Sequence, residues 1–292
     1  MLFSRLKEVC GAFSKWHSGD FEKEAGLARL NHLLSQRGEI EDYGELLMRF
    51  LVLTQYFLPE PGAAQLRLAA FCRELKKLGH DVEVVTAMPN YPTGRIHRKY
   101  RHKFYTVENW EGIRVQRVWC YACRGAGFGR LINYLTFTVT SLLGLFRASV
   151  PDYIFVESPP LFLSIPAFIM ARVRRCKFIF NVADMWPDIL MEMGVISDRR
   201  LMRLASKLER WSYRKASYIC AVTQAIFDNL RCTKLVADQK LLFLPNGIDA
   251  DIFRPLPPDT YLKHKLELDN KHIVLYAGTL SSVSYTHLTL PT

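Results

Sequence analysis

From Phe50 to Leu244 the chain repeats one pattern: a short apolar run, then a longer stretch with apolar residues every three or four positions. The runs lie at 50–56, 82–86, 113–119, 153–156, 177–182, 218–222 and 240–244. Most do not alternate apolar with polar, as strands buried on both faces would not. Parallel neighbours cannot be joined by a tight turn, so each pair requires a crossover, normally a helix. Helices are expected over 63–78, about 131–146, 161–172 and 199–215, and in a short segment from Gln224. The pattern predicts an α/β fold: a Rossmann-like parallel sheet with helices on both faces. Leu66, Ala69, Ala70, Leu75 and Leu78 are assigned to the inner side of the first helix, and Leu201, Leu204, Leu208 and Trp211 to that of the 199–215 helix.

The repetition bounds the domains. Residues 48–257 form one Rossmann-like unit, and the Pro-rich, polar stretch from Pro245 to about Leu268 reads as a linker. His272–Gly278 looks like a new first strand running into a glycine, so 258–282 is assigned to a linker and the first strand of a second, truncated Rossmann domain. Residues 283–292 match a translated sequencing adapter and are set aside as an artefact. Residues 1–47 read as an extension outside the fold, with translation expected to start at Met48.

Composition narrows the function. The chain has 292 residues, 49% hydrophobic and 23% charged, enough apolar material for a sizeable core. A net charge of +11 admits nucleic acid, an anionic membrane surface or phosphorylated ligands as partners. The basic residues are dispersed and no zinc-finger or RNA-binding signature is present, so nucleic acid is set aside. Seven irregularly spaced cysteines suit reduced thiols; Cys120 and Cys123 form one C-x-x-C without the second pair that structural zinc requires. No metal or cofactor is expected. The apolar run Leu131–Phe146 is too short and too polar to span a bilayer, which needs about 20 apolar residues.

In an open parallel sheet, ligands bind beyond the carboxyl ends of the strands. After the first strand, Gly62 and Ala63 open a helix whose backbone N–H groups can approach a phosphate. After the second, Asn90 can bind hydroxyls and Tyr91 can stack on a sugar, with Arg95 heading a basic run that continues to Lys103. Glu157 follows the 153–156 strand. Asp184, Trp186 and Asp188 follow the 177–182 strand, carboxylates around an indole, a combination that suits carbohydrate. Asp188 also suits a helix cap. Asn90, Glu157 and Asp184 are expected to line one shared hollow. Arg200, Arg203, Lys207, Arg210 and Arg214 form a basic stripe on one helix, either a solvated face or a surface that docks on an anionic membrane or phosphate.

Six segments in order, Gln55–Ala64, Leu78–Val82, Thr86–Ile96, Val156–Leu161, Asn181–Asp188 and Leu244–Asp249, resemble the N-terminal half of family 4 glycosyltransferases of the two-Rossmann (GT-B) kind. The branch most similar contains colanic-acid and N-acetylfucosamine transferases. The resemblance covers Met48 to about Gly278. It implies retaining transfer of a hexosyl or N-acetylhexosaminyl group from a nucleotide-sugar donor to a lipid-linked saccharide, a polyprenyl-diphosphate-linked acceptor, in cell-surface polysaccharide biosynthesis. It also implies a cytoplasmic protein, peripheral on the inner face of a bacterial plasma membrane. It places Gly62 and Ala63 at the donor phosphates, Asp184 at the donor sugar as the catalytic residue, and Asn90, Tyr91, Arg95, Glu157 and Trp186 on the acceptor side. The family's donor-gripping residues would lie beyond this chain, which is therefore expected to be inactive alone.

Two other readings compete. One is a non-catalytic membrane-surface or partner-binding module of Rossmann-like shape. The other, an NAD(P) oxidoreductase, fails because Gly125, Gly127 and Gly129 are too closely spaced for a dinucleotide loop.

Overall fold

The computed structural model describes residues 47–124, 127–186, 198–247, 257, 259–269 and 271–273. Eight strands form one sheet: β1 (Arg49–Leu53), β2 (Asp81–Ala87), β3 (Tyr105–Trp110), β4 (Ile113–Val118), β5 (Tyr153–Ser158), β6 (Lys177–Val182), β7 (Tyr218–Ala221) and β8 (Leu241–Phe243). The described α-helices are α1 (Ala63–Lys77), α2 (Phe128–Arg147), α3 (Ser164–Arg174), α4 (Arg199–Lys215), α5 (Gln224–Cys232) and α6 (Thr260–Lys265). The strand order is β3-β4-β2-β1-β5-β6-β7-β8. Every pairing is parallel except β3 with β4. The expected α/β architecture is therefore present.

Strand alternation divides the core in two. Leu51, Leu53, Ile154, Val156, Phe178 and Phe180 point to one face, where they meet Phe137 and Leu145 of α2, Ala167 and Met170 of α3 and Tyr213 of α4. Phe50, Val52, Val84, Tyr153 and Phe155 point to the other, where Leu68, Phe71, Cys72 and Leu75 of α1 cover them. Phe71 packs its ring on Phe155 with centroids 4.6 Å apart. Truncating such a ring to alanine costs about 3–5 kcal/mol, from lost transfer energy and the void left behind. Gly144 lets α2 close on the sheet, since a Cβ there would lie 2.7 Å from Val85 Cγ1.

The sheet has an element absent from the sequence-based assignment. Residues 105–110, read as part of a long loop, form the antiparallel edge strand β3, joined to β4 by Glu111 and Gly112. Both turn residues have positive φ, 50° and 77°, as in the two-residue hairpin turns whose twist matches that of the strands. Asn109 Oδ1 accepts the Gly112 N–H at 2.7 Å and fixes the turn. At the edge, β3 buries little, so it lacks the apolar run that marks the central strands.

Other boundaries also shift. Pairing of β1 ends at Leu53, and the 161–172 helix divides into a 3-10 turn at Leu161–Leu163 followed by α3. The stretch read as a linker contains α6, capped by Asp259, whose side chain accepts the Leu262 N–H at 2.9 Å. Leu66, Leu78, Leu201 and Leu204, expected inside, are exposed. The inner side of α4 instead carries Met202, Glu209, Ser212 and Tyr213. Glu209 is tolerated there because Lys234 lies 3.0 Å away and Tyr213 donates to it at 3.0 Å. The five basic residues of the α4 stripe are all exposed. No helix among the described residues is long and apolar enough to cross a membrane. Residues 1–46 and 274–292, including most of the expected second-domain strand and the adapter segment, lie outside the described residues.

Candidate functional site

Two polar clusters occupy the carboxyl edge of the sheet. The first is built on register. Glu157 and Asn181 are direct partners across β5 and β6, so their side chains lie side by side. Asn181 Nδ2 donates to Glu157 Oε2 at 2.7 Å. Arg67, one turn into α1, reaches over both strands, pairing with Glu157 through Nη2 and donating to Asn246 Oδ1 through Nη1 at 2.6 Å. Burial pushes the Glu157 carboxyl above the usual carboxylate range, against the pull of Arg67 and Asn181. Asn181 Oδ1 is buried with no protein partner. Beside it is a small hollow whose lining includes Arg67, Val222, Pro245 and Asn246.

Asp184 leaves β6 toward this cluster. The residue is exposed, yet protein packed against its carboxyl pushes it above the ordinary aspartate value, with Arg67 opposing. Asp184 also raises Glu157, so the two carboxyls share the field of one guanidinium. Next to them, α1 starts at Ala63 with no side-chain cap and no acidic residue in its first turn. Ala63 and Ala64 are exposed there, leaving backbone N–H groups open to an anion.

The second cluster forms beyond β2 and β4. Glu60 is fully buried and accepts the backbone N–H groups of Asn90 and Tyr91, each at 2.7 Å, through Oε1. Burial pushes its carboxyl to about 6, with those two N–H groups and Arg117 holding it from rising further. Glu60 Oε2 and Arg117 Nη1 are both buried with no hydrogen-bond partner. Arg117 pairs with Glu108 and donates to the Leu58 carbonyl. The cluster fixes the loop after β2, where Tyr91 is 39% exposed with its ring 5.9 Å from that of Tyr56. Arg130 holds Tyr56 by donating to its hydroxyl at 2.6 Å. Past Tyr91, Gly94 turns at φ 67°, where a Cβ would come within 2.4 Å of the Arg124 backbone. That approach closes an open hollow of about 800 Å³, lined by Arg95, His97, Arg98, Arg101 and Arg124 with no carboxylate among its lining residues.

Residues 62–247 match the Glycosyl transferase 4-like domain. The chain belongs to this glycosyltransferase family. It is 26% identical over 243 residues to WcaI of Escherichia coli (strain K12), a protein named for glycosyl transfer in colanic acid biosynthesis. That alignment covers 80% of this chain and 59% of WcaI, so the chain spans about three fifths of the relative's length. Among solved structures, sucrose-phosphate synthase from Thermosynechococcus elongatus superposes with a TM-score of 0.51 at 10% identity, over 75% of this chain and 52% of the other. The catalytic domain of starch synthase IV from Arabidopsis thaliana, bound to ADP and acarbose, gives 0.50 at 14% identity, over 74% and 54%. These likenesses support the GT-B, Rossmann-like fold.

Within this glycosyltransferase domain the sequence-assigned residues divide. Glu157 and Asp184 fall in the field of Arg67, one turn into the helix that Gly62 and Ala63 open. Asn90 does not join them: it is 1% exposed, and its side chain donates to the Met88 carbonyl at 2.9 Å and to Cys120 Sγ at 3.5 Å. The expectation of one hollow shared by Asn90, Glu157 and Asp184 is therefore not met. Tyr91 and Arg95 lie at the surface of the loop that Asn90 helps hold. Trp186 is partly buried, edge-on to Phe162 with centroids 6.0 Å apart. Asp188 lies outside the described residues. Sequence reasoning missed Arg67, Glu60, Asn181 as a side-chain partner, and Asn246. Arg67 looks like one more basic residue on an amphipathic helix, and only the packing of α1 across the end of β5 gives it a carboxylate to meet. Among the described residues, no group of three or more His, Cys, Asp or Glu is placed to hold a metal ion.

Proposed function

We propose that the full-length protein transfers a sugar, with retention, from a nucleotide-sugar to a lipid-linked saccharide in cell-surface polysaccharide assembly. The observation that carries this reading is the Arg67–Glu157–Asn181–Asn246 network, with Asp184 exposed at its edge and the uncapped start of α1 alongside. A nucleoside-diphosphate leaving group needs its growing negative charge met by donors already in place. The N–H groups of α1 meet that need without a metal. The partnerless Asn181 Oδ1 suits a ligand that donates a hydrogen bond, as a sugar or ribose hydroxyl does. Asp184 accepts hydrogen bonds from donor hydroxyls, while Arg67 and Glu157 position one another.

On the acceptor side, the exposed Tyr91 ring offers a face for a saccharide. The cationic hollow around Arg95 suits the diphosphate that joins a saccharide to its lipid. Such an acceptor would bring the protein to the cytoplasmic membrane surface.

Asp184→Asn tests the reading best, because an exposed side chain can be neutralised without unfolding the domain. In full-length protein assayed with labelled nucleotide-sugar and membrane-extracted acceptor, kcat/KM should fall about tenfold to a hundredfold, the loss of a charged hydrogen bond. Wild-type turnover by the variant would reject Asp184 as a donor contact. The 292-residue chain alone is expected to give no turnover.

A further inference from the structure

At the opposite edge of the sheet, where β6 and β7 begin, an open hollow of about 660 Å³ lies between the carboxyl ends of α3 and α4. Arg172 and Arg175 enter it from the α3 side, Arg214 and Lys215 from the α4 side, over a floor that includes Phe168 and Phe178. The four cationic residues are exposed, and no carboxylate is among the lining residues.

Cations at helix carboxyl ends ordinarily answer the partial negative charge of free carbonyls. Other groups do much of that work here. Lys240 Nζ donates to the carbonyls of Arg214 and Ala216, each at 3.0 Å. The Ala171 carbonyl at the end of α3 accepts the N–H groups of Arg175 and Cys176. Asp152, whose charge reaches Cys176 in the hollow, already accepts the Arg49 backbone N–H at 2.8 Å. Lys215 Nζ also lies 5.4 Å from the centre of the Phe168 ring, which leaves three guanidinium groups around one open concavity, a local positive potential that attracts an anion. Three guanidinium groups favour an oxyanion with several acceptor oxygens.

We propose that this hollow binds a phosphate-bearing ligand, at a site separate from the sugar-transfer cleft. Its chemistry fits either a soluble phosphate or diphosphate or the phosphate of a lipid headgroup. The exposed Ile165, Ile169 and Val173 on neighbouring turns of α3 make the lipid source worth testing directly. The inference stands on these residues alone and survives if the cleft proves to have another activity.

Cys176 provides a reporter inside the hollow, and the exposed Cys232 on α5 a control in the same chain. The intact chain is labelled with a maleimide at constant ionic strength and the modified cysteines are counted by mass spectrometry. The additions are inorganic phosphate, pyrophosphate, vesicles of phosphatidylcholine, and the same vesicles with phosphatidylglycerol. Protection of Cys176 but not Cys232 by pyrophosphate supports a soluble ligand. Protection by the phosphatidylglycerol vesicles alone supports the lipid source. In Arg172→Gln/Arg175→Gln/Arg214→Gln, whose changes are all at exposed positions, the protecting concentration should rise roughly tenfold or more. The proposal is overturned if neither anion source slows Cys176, or if the triple variant is protected as well as the parent.

Discussion

Replacing Arg67 with methionine removes the charge that faces Glu157 but keeps most of the side-chain volume. Side-chain exposure is 14% for Arg67 and 6% for Glu157, so water replaces little of the lost interaction. Glu157 can then either remain ionised without its cation or take up a proton. The proton limits the cost. Raising a glutamate from its ordinary 4.5 to pH 7 spans two and a half units, so protonating Glu157 at pH 7 costs about 3.4 kcal/mol. That figure falls within the range of about 3–5 kcal/mol seen when one partner of a buried pair is removed. The cost has a definite sign with pH. A carboxyl whose folded-state value lies above its unfolded value stabilises the fold below the unfolded value, and that contribution is lost as pH rises through the folded value. Because Glu157 is already raised in the parent, that protonation cost is a ceiling: Arg67→Met should lose little stability at pH 5, where the proton is nearly free, and no more than about 3 kcal/mol near pH 7. Urea unfolding of parent and variant across that range measures the difference. Adding Glu157→Gln to Arg67→Met should abolish the pH dependence, since an amide has no charge to neutralise. A loss independent of pH, or one that persists unchanged in the double variant, would refute the ion pair as the element joining α1 to β5.

Three further outcomes follow from named contacts. Glu60 is fully buried and raised from 4.5 to about 6, so its contribution is complete below 4.5 and lost as pH rises through 6; Glu60→Gln should remove roughly 2 kcal/mol of that pH dependence in denaturant titrations. Gly94→Ala places a Cβ against the Arg124 backbone at a positive φ, and should destabilise the chain by about 1–3 kcal/mol, read by thermal melting against the parent. Gly144→Val forces a branched side chain into Val85 and should lower stability by about 1–3 kcal/mol; an unchanged melting temperature would show that α2 does not pack closely on β2.

How much could be read from sequence depended on whether the signal was local. The central strands announce themselves because burial on both faces excludes charge from the runs at 50–53, 153–156 and 178–182. The edge strand β3 does not, because one side of its ladder is unpaired and its residues are mostly half-exposed or exposed. Its only cue was the Glu111–Gly112 turn. The inner face of α4 was half read: Leu208 packs against the core and Trp211 on Phe168, but Leu201 and Leu204 were misplaced because leucine was taken as the marker of the buried side. Tertiary packing instead buries Glu209, for which Lys234, 25 residues further on, supplies the partner.

The order of apolar runs and helical periods by itself determined the α/β architecture, and the glycine-led helix start and strand-end carboxylates marked out the candidate site. Those features depend on neighbours a few residues apart. Tertiary structure alone decided which marked residues act together. Parallel register put Glu157 beside Asn181, and α1 crossing the strand ends brought Arg67 across 90 residues to Glu157 and 179 to Asn246. Packing turned Asn90 inward, into a second cluster held by Glu60. Hydrogen bonds and ion pairs act over a few ångströms of space, and chain position does not specify that space until the sheet is assembled.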